Sequence, residues 1–236
     1  MSKPKDIVVL TGSGISAESG VATFRDAGGV WAKYDVNEVA TPEGFARNPA
    51  LVHEFYNGRR KGLAEVQPNA AHEALARLEE GLTAHGGSLT LVTQNVDDLH
   101  ERGGSRRVLH MHGELLKAEC AHCGDVTECN GDLSVEMVCA MCNRARGMRP
   151  HVVWFGEMPR HMDDAADAIM QADLFVSIGT SGSVYPAAGF VAEARALHVA
   201  TMELNLEPSD NAHLFDDARY GPATKTVPDW VEKVLG

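Results

Sequence analysis

The sequence contains no apolar run that approaches the length needed to cross a membrane. Its first strongly apolar segment, residues 7–10, is also too short for the core of a signal peptide. Basic residues are scarce, because 21 Lys and Arg stand against 33 Asp and Glu and give a formal net charge of −12. Such a surface disfavours binding to nucleic acid and to anionic membranes. We therefore expect a cytoplasmic protein that binds neither nucleic acid nor membranes directly.

Cysteine is also rare, and its five copies fall within one stretch of the chain. Cys120-x-x-Cys123 and Cys139-x-x-Cys142 are separated by fifteen residues, which is the spacing of a four-thiolate zinc site. Because protein ligands would fill all four positions, such a zinc ion is structural. Buried or redox-active thiols are the alternative, since a reducing compartment disfavours disulfides. Cys129 is left over as a free thiol.

The cysteine-rich segment also has a rival function, that of a zinc ribbon that binds nucleic acid. Arg144, Arg146 and Arg149 make the segment locally basic. The acidity of the whole chain argues against this function.

Short apolar, β-branched runs recur along the chain, at residues 7–10, 89–92, 108–111, 152–155, 174–178 and 199–204. Helical patterns separate several of them, at 70–85, 162–172 and 187–197, and Asn69 is placed to cap the first of these helices. Strands that alternate with helices predict an α/β fold, with a Rossmann-like parallel sheet covered by helices on both faces.

Two segments break this alternation, and we interpret them as insertions that build a small lobe. They are a helical insertion at about 31–68 and a zinc-ribbon module at about 116–148. The rest of the single domain, 1–236, is the Rossmann-like core, formed by about 1–30, 69–115 and 149–236. A cleft between two lobes is a usual place for a binding site.

The first predicted strand runs directly into a glycine-rich loop. Gly12, Gly14 and Ala17 satisfy G-x-G-x-x-G/A, a pattern in which backbone amides approach a pyrophosphate at the start of a helix. Alone, such a loop is a weak indicator, and an ordinary glycine turn is an equal alternative. The acidic residue that follows the second strand of a dehydrogenase is missing, because Asp35 and Glu38 follow no predicted strand. An ordinary dehydrogenase is therefore disfavoured.

From residue 12 to residue 25 the sequence resembles the sirtuin signature G-A-G-x-S-x-x-S-G-I-x-x-F-R. It departs from that signature at Ser13, where the family usually has Ala, and at Val21, where it usually has Ile. Further blocks match the family in the same order, at 93–100, 112–115, 152–157, 179–181 and 205–207. The resemblance covers nearly the whole chain and is greatest to the bacterial class III sirtuins. It implies an NAD-dependent protein-lysine deacylase.

The resemblance also implies the cofactors, namely NAD as a co-substrate and one structural Zn²⁺ on the four paired cysteines. The residues that would bind NAD are Gly12, Ser13, Gly14, Ile15, Ser16, Ala17, Phe24, Arg25, Trp31, Gln94, Asn95, Val96, Asp97, Gly179, Thr180, Ser181, Asn205, Leu206, Glu207 and Ala223. Phe24 and Arg25 would belong to a mobile loop over the cofactor. Residues 94–97 would contact the nicotinamide end, and a simple Asn-Val-Asp turn is the alternative for them.

Three of the matched residues would carry the chemistry, namely His112, Asn95 and Asp97. His110 and His112 flank Met111 at the end of a predicted strand and therefore share one face. A structural histidine is the alternative, but His112 matches the family's catalytic histidine. Imidazole, with an unperturbed pKa of about 6.5, suits a base that activates a ribose hydroxyl. The implied products are nicotinamide, free lysine and O-acyl-ADP-ribose.

A helix is predicted to begin with Asn48 as its N-cap. One stripe of this helix faces inward and contains Leu51, Val52, Phe55, Tyr56, Arg59 and Leu63, whereas Arg60 and Lys61 point elsewhere. An inward arginine needs an anionic partner or must extend to solvent. Tyr56 and Arg59 can reach one ligand, and together they suit a carboxylate at the end of an acyl chain. On the helix pattern alone, an ion pair within the protein is favoured.

The Tyr56–Arg59 pair resembles the Tyr-x-x-Arg of sirtuins that remove succinyl and related acidic groups. Ala40 falls where those enzymes keep a small residue that widens the pocket. The family pairs the segment after residue 151 with an extended substrate peptide, which implies that Val153, Phe155, Gly156 and Glu157 contact an acyl-lysine protein. A strand wholly inside the sheet is the alternative for this segment.

Two rival functions use the same cofactor. One is the transfer of ADP-ribose to proteins, and the other is a non-catalytic NAD sensor or scaffold. The presence of His112, Asn95 and Asp97 argues against the scaffold, which would not need them.

Overall fold

Nine strands form two sheets in the computed structural model, which describes residues 3–23 and 34–236. In chain order they are β1 (Asp6–Thr11), β2 (Ser88–Thr93), β3 (Val108–His110), β4 (Gly113–Cys120), β5 (Val126–Glu128), β6 (Met148–Val152), β7 (Leu174–Ile178), β8 (Ala200–Asn205) and β9 (Asp217–Tyr220). The main sheet has the order β3-β2-β1-β7-β8-β9, and all of its pairings are parallel. The second sheet is antiparallel, with the order β5-β4-β6.

Helices cover both faces of the main sheet. In the described part of the chain they are α1 (Gly14–Ala17), α2 (Val36–Val39), α3 (Pro42–Arg47), α4 (Pro49–Glu65), α5 (Ala70–Ala84), α6 (Leu99–Arg102), α7 (Met162–Gln171), α8 (Phe190–Ala196) and α9 (Ala223–Leu235). The side chains of β1 alternate, so Ile7 and Val9 pack with α5 and α9, whereas Val8 and Leu10 pack with α7 and α8. The predicted α/β fold is confirmed. None of these helices combines the length and the apolar character that a membrane span requires.

Most of the predicted elements correspond to observed ones. The runs at 7–10, 89–92, 108–111, 174–178 and 199–204 correspond within one residue at each end to β1, β2, β3, β7 and β8. The helical patterns correspond to α5, to α7 and to a 3-10 turn at 187–189 that continues into α8. Both predicted N-caps are confirmed, because Asn48 Oδ1 accepts from Leu51 N at 3.2 Å and Asn69 Oδ1 accepts from Ala71 N at 2.9 Å. These are the elements whose signals are local in the sequence.

The strand predicted at 152–155 is wrong in its position. Strand β6 ends at Val152 and belongs to the antiparallel sheet, in which Gly113 pairs with Val152. The chain then turns, because the Glu157 carboxylate accepts from Trp154 N at 2.8 Å and Glu157 N donates to Trp154 O at 3.0 Å. The apolar run therefore leaves the sheet after its first residue.

The helical insertion packs against the base of the antiparallel sheet. Side chains from α2 and α4 form one core with the residues at the ends of β4 and β6, among them Val39, Phe55, Leu115 and Val152. The predicted boundaries between the Rossmann-like core and the small lobe stay a prediction.

Two histidines are fully buried under the main sheet. His72 and His100 are each 0% exposed, and their ring centroids lie 5.0 Å apart in an edge-to-face contact. His72 Nδ1 accepts from Asn69 N at 3.2 Å, so its Nε2 carries the proton and donates to Ser16 Oγ at 3.4 Å. His100 Nε2 lies 3.0 Å from Thr11 Oγ1. Burial lowers the pKa of His72 to about 4 and holds the pKa of His100 well below its usual value, so both rings are neutral at pH 7.

We predict that acid destabilises the fold through these histidines. As the pH falls through about 6.5, His72 of the unfolded chain binds a proton, whereas folded His72 does not until about pH 4, so unfolding becomes more favourable. For His72 alone, this shift corresponds to roughly 3 kcal/mol. Urea unfolding from about pH 7.5 to about pH 4.5 should show a shallower pH dependence for His72→Gln than for the wild type. The same substitution at the exposed His213 should leave the slope unchanged, and a wild-type slope in His72→Gln would contradict the prediction.

Candidate functional site

A cleft of about 830 Å³ opens at the carboxyl ends of the parallel strands. The loops that follow β1, β2, β7 and β8 line it, and the start of α9 closes one end. The other end is formed by α4 and by the turn that follows β6. Open parallel sheets bind their ligands at this edge, where the strand order reverses. In this sheet, the order reverses between β1 and β7.

The glycine motif serves both packing and the lining of the cleft. Gly12 N donates to Ile178 O at 3.0 Å, and Gly14 N donates to Gly179 O at 2.9 Å. A Cβ atom on Gly12 or Gly14 would lie 2.7 Å from the backbone of Gly179, so only glycine permits this approach. Both residues also present bare backbone to the cleft, as a bound pyrophosphate requires. The loop therefore fits the diphosphate of NAD.

Most residues predicted to bind NAD line this cleft. They are Gly12, Ser13, Gly14, Ala17, Gln94, Asn95, Val96, Gly179, Thr180, Ser181, Asn205, Leu206, Glu207 and Ala223. The side chain of Ile15 lies instead in the core beneath the sheet, so only its backbone could reach a cofactor. Phe24, Arg25 and Trp31 lie outside the residues that the structure describes. The binding roles of all these residues stay predictions.

Ser16, Asn95 and Asp97 form a buried polar group behind the glycine loop. Asn95 Nδ2 donates to Gly12 O at 3.1 Å and to Ser16 Oγ at 3.2 Å. The side-chain oxygen Oδ1 of Asn95 is left for a ligand. Asp97 Oδ1 accepts from Leu99 N at 3.2 Å, and burial raises the pKa of Asp97 although this hydrogen bond opposes the shift. Asp97 faces a second cavity of about 770 Å³ that shares Asn95 with the cleft.

His112 projects into the cleft from just beyond the end of β3. Its Nδ1 lies 2.9 Å from Gln94 O, and a carbonyl can only accept, so Nδ1 carries the proton and Nε2 is a bare acceptor. Burial lowers the pKa of His112, although the same hydrogen bond opposes this effect. The neutral ring that results can act as a general base at pH 7. His110 Nδ1 lies 3.3 Å from the adjacent Asn95 O, so both histidines contact the segment that follows β2.

Tyr56 and Arg59 line the far end of the cleft together with Ala40. The Tyr56 hydroxyl accepts from Trp154 Nε1 at 3.0 Å, so its own hydrogen is directed elsewhere and can be donated. Burial raises the pKa of Tyr56 to about 12, which keeps the hydroxyl protonated. Burial also lowers the pKa of Arg59, but a guanidinium keeps its charge at pH 7. The pair thus offers an O–H donor and a fixed cation at one end of an apolar channel.

The prediction that Arg60 points away from the interior is wrong. Arg60 is only 3% exposed, its Nε donates to Leu115 O at 2.8 Å, and its Nη1 donates to Asn57 Oδ1 at 2.7 Å. Helix α4 is buried on more than one side, because one side lines the cleft and another side packs against the start of β4. A single inward stripe therefore does not describe this helix.

The turn after β6 lines the cleft with the residues predicted to contact substrate, namely Val153, Phe155, Gly156 and Glu157. Gly156 has a φ of +91°, and a Cβ there would meet no atom within 4 Å, so space is open beside it. The Glu157 carboxylate is already engaged, because Arg149 donates two hydrogen bonds to it at 2.6 and 2.8 Å. Only its backbone and its side-chain stem remain for a substrate.

Trp154 is the residue of this site that sequence reasoning missed. Its ring is 2% exposed, and the Arg149 guanidinium carbon lies 3.6 Å from the ring centroid. Its indole N–H fixes the Tyr56 hydroxyl, and its backbone N–H binds Glu157. The only signal in the sequence is a tryptophan inside the 152–157 block, which does not reveal that it contacts α4.

The four paired cysteines come together at one point of the antiparallel module. All four Sγ atoms lie within 4.8 Å of one another, and the Cys120–Cys142 and Cys123–Cys139 Sγ atoms are each 3.7 Å apart. Four thiolates around Zn²⁺ at about 2.3 Å would be about 3.8 Å apart, so the cluster fits a tetrahedral zinc ion. Cys129 is not in this cluster, and its Sγ donates to Gly131 O at 3.6 Å.

Comparisons with known proteins point to one family. The model of the Sir2 family matches residues 12–186. The chain is 66% identical over 229 residues to a Caulobacter vibrioides protein named NAD-dependent protein deacylase. This match covers 97% of this chain and 96% of that protein. It is 55% identical over 237 residues to an Escherichia coli K12 protein of the same name, covering 100% of this chain and 84% of that protein.

Solved structures give the same result. A Sir2 homologue bound to NAD superposes with a TM-score of 0.87 at 37% identity and covers 98% of this chain and 90% of that chain. A Sir2 protein bound to an acetylated peptide superposes with a TM-score of 0.83 at 26% identity, covering 99% of this chain and 95% of that chain.

We predict that the protein binds one zinc ion per chain through the paired cysteines. Elemental analysis of the purified protein should give about one zinc per chain, because four thiolates close the coordination shell of a single ion. Cys142→Ser should lose the metal and lower the midpoint of thermal unfolding, whereas Cys129→Ser should keep both at the wild-type level. Full zinc occupancy in Cys142→Ser would rule out the four-cysteine site.

Proposed function

The chain belongs to the Sir2 family, and on that basis we propose that it is an NAD-dependent protein deacylase that removes succinyl as well as acetyl groups from lysine. One observation carries the succinyl part of the proposal, namely that Tyr56 and Arg59 line the same cleft as His112. Relatives named deacylases, and Sir2 structures with NAD or an acetylated peptide, support the reaction type. Proteins that carry acyl-lysine are the proposed partners.

Recognition of the acyl group rests on charge and hydrogen bonding at the end of the channel. A succinyl chain ends in a carboxylate, which the Arg59 guanidinium attracts and to which the Tyr56 hydroxyl donates. Trp154 holds that hydroxyl in place, and Ala40 leaves room because it has only a methyl group. An acetyl group is shorter and apolar at its end, so it enters the same channel without these contacts.

In the proposed reaction His112 is the base. Its Nε2 accepts the proton of a ribose hydroxyl, while the Gln94 carbonyl holds Nδ1–H and fixes the tautomer. When bound, NAD would supply an electrophilic ribose carbon from which nicotinamide departs, and with one water molecule the acyl group would pass from lysine to ADP-ribose, giving nicotinamide, free lysine and O-acyl-ADP-ribose. Asn95 and Asp97 would orient the nicotinamide end from the loop after β2. A zinc ion on the four cysteines would take no part in this chemistry, because four protein ligands leave no open position for a substrate.

Mass spectrometry on matched acetyl-lysine and succinyl-lysine peptides, with and without NAD, tests the proposal directly. NAD-dependent loss of both acyl groups, with nicotinamide and O-acyl-ADP-ribose as products, is the expected result. ADP-ribose attached to protein would favour the transferase instead. Unchanged peptides in spite of bound NAD would favour the sensor.

We predict that Arg59→Met discriminates between the two peptides. The substitution removes the cation and keeps an unbranched apolar stem, so it should lower kcat/KM for succinyl-lysine by about tenfold to a hundredfold, equivalent to roughly 1.5–3 kcal/mol. The value for acetyl-lysine should change by less than about threefold. The same substitution at the exposed Arg77, on α5, is the matched control. Equal losses on both peptides would sink the carboxylate-binding role.

We predict that His112→Asn abolishes turnover of both peptides while the protein stays folded and retains zinc. In the wild type, protonation of Nε2 removes the base, and burial places the pKa of His112 below 6.5. The rate should therefore be level above about pH 7 and fall on the acid side of about pH 6.5. Substantial activity in His112→Asn, or a rate that keeps falling between pH 8 and about pH 7, would remove His112 from this role.

A further inference from the structure

Helix α4 carries the proposed acyl-binding pair and also contacts the segment at about 116–148, which contains all five cysteines and is called here the cysteine-rich module. Its side-chain hydrogen bonds with the module come from one stripe with a four-residue spacing, formed by His53, Asn57 and Lys61. His53 Nε2 donates to Met148 O at 2.9 Å, from a side chain that is 3% exposed. Tyr56 and Arg59 lie beside this stripe and face the cleft. One helix therefore contacts two parts of the molecule that the sequence keeps far apart.

Asn57 makes the most specific of these contacts. Its Nδ2 donates to Leu133 O at 2.9 Å, and its Oδ1 accepts from Leu133 N at 2.9 Å. The amide thus satisfies both backbone groups of one residue, as a neighbouring strand would. Asn57 Oδ1 also accepts from Arg60 Nη1, and Arg60 Nε donates to Leu115 O near the start of β4. The side chain connects α4 to the module loop and to the sheet at once.

The loop that Asn57 holds is itself part of the module core. The Leu133 and Met148 side chains pack in the same buried cluster as Cys120 and Cys139. Their backbones are the groups that Asn57 and His53 bind. Hydrogen bonds to the backbone of this core, which includes four cysteines placed to bind a metal, therefore connect it directly to α4.

We propose that Asn57 is a positioning residue that fixes the Tyr56–Arg59 pair in the cleft by tying α4 to the cysteine-rich module. This inference rests on the proposed function. Asn57 directly follows Tyr56 and precedes Arg59 by two residues, so a shift of the helix at Asn57 moves both ligand-binding groups. A carboxylate requires close hydrogen-bond geometry and feels the shift, whereas the methyl end of an acetyl group does not.

The test compares Asn57→Ala with the wild type on succinyl-lysine and acetyl-lysine peptides. The substitution should raise KM for the succinyl peptide about five- to tenfold, with kcat, the acetyl KM and the KM for NAD within about twofold. The affinity for a labelled succinyl peptide, measured by anisotropy without NAD, should fall by the same factor. Lys61→Ala is the control, because Lys61 contacts the same loop at Asp132 but is exposed.

A mutant cycle shows whether Asn57 acts through the Tyr56–Arg59 pair. In a background that lacks both groups, Tyr56→Phe with Arg59→Met, Asn57→Ala should have no further effect on the ratio of the two peptides. A selective loss that persists there, or an equal loss on both peptides, would overturn the inference. If Asn57→Ala does not fold, Asn57→Asp keeps an acceptor for Leu133 N, replaces the Nδ2 donor with a charged oxygen and should show the same selectivity. If Arg59→Met itself does not discriminate between the succinyl and acetyl peptides, the proposed acyl recognition is wrong and so is this inference. If Arg59→Met discriminates but Asn57→Ala does not, only this inference is overturned.

Discussion

The close approach of two loops, after β1 and after β7, is the constraint on which the site depends. Gly12 and Gly14 lie so near Gly179 that a single Cβ atom would force the loops apart. The approach places bare backbone at the point where the strand order reverses, and the loops after β2 and β8 then complete the same edge. Every other functional group is arranged around that edge. The fold thus creates the cleft before any reactive side chain contributes to it.

Burial controls the charge of the groups around the cleft. His112 and Tyr56 are both kept neutral by their surroundings, although one pKa moves down and the other moves up. Arg59 keeps its positive charge in the same apolar surroundings, because a guanidinium does not lose its proton. Among the described residues that line the cleft, a neutral base at the strand ends is therefore combined with the Arg59 cation on α4. An anionic group that enters the cleft is attracted to that cation.

The parts of the fold that sequence reasoning predicted are those with local signals. Short apolar, β-branched runs predict β1 and β2, and Asn48 and Asn69 cap helices through bonds to residues two or three positions away. The errors have distant causes. The burial of Arg60 depends on Leu115 O, 55 residues along the chain.

The site could be predicted to the same degree. The cysteine spacing was sufficient because C-x-x-C turns are local, whereas most of the residues that line the cleft were implied by the resemblance to the family. The turn at 153–157 could not be predicted, since it depends on Arg149 holding the Glu157 carboxylate and the Trp154 ring. The pairing of Trp154 with Tyr56 spans 98 residues and leaves no pattern in the sequence.

The cysteine-rich module leaves and rejoins the rest of the chain at one place, where Gly113 pairs with Val152. Segments whose two ends are adjacent can be lengthened, shortened or replaced without disturbing the host fold. Two of the hydrogen bonds between α4 and the module also depend little on module sequence, because Asn57 and His53 bind backbone atoms of Leu133 and Met148. Almost any residue supplies such atoms. In evolutionary terms the module is free to diverge on its outer surface while the helix that faces the cleft keeps the same anchor.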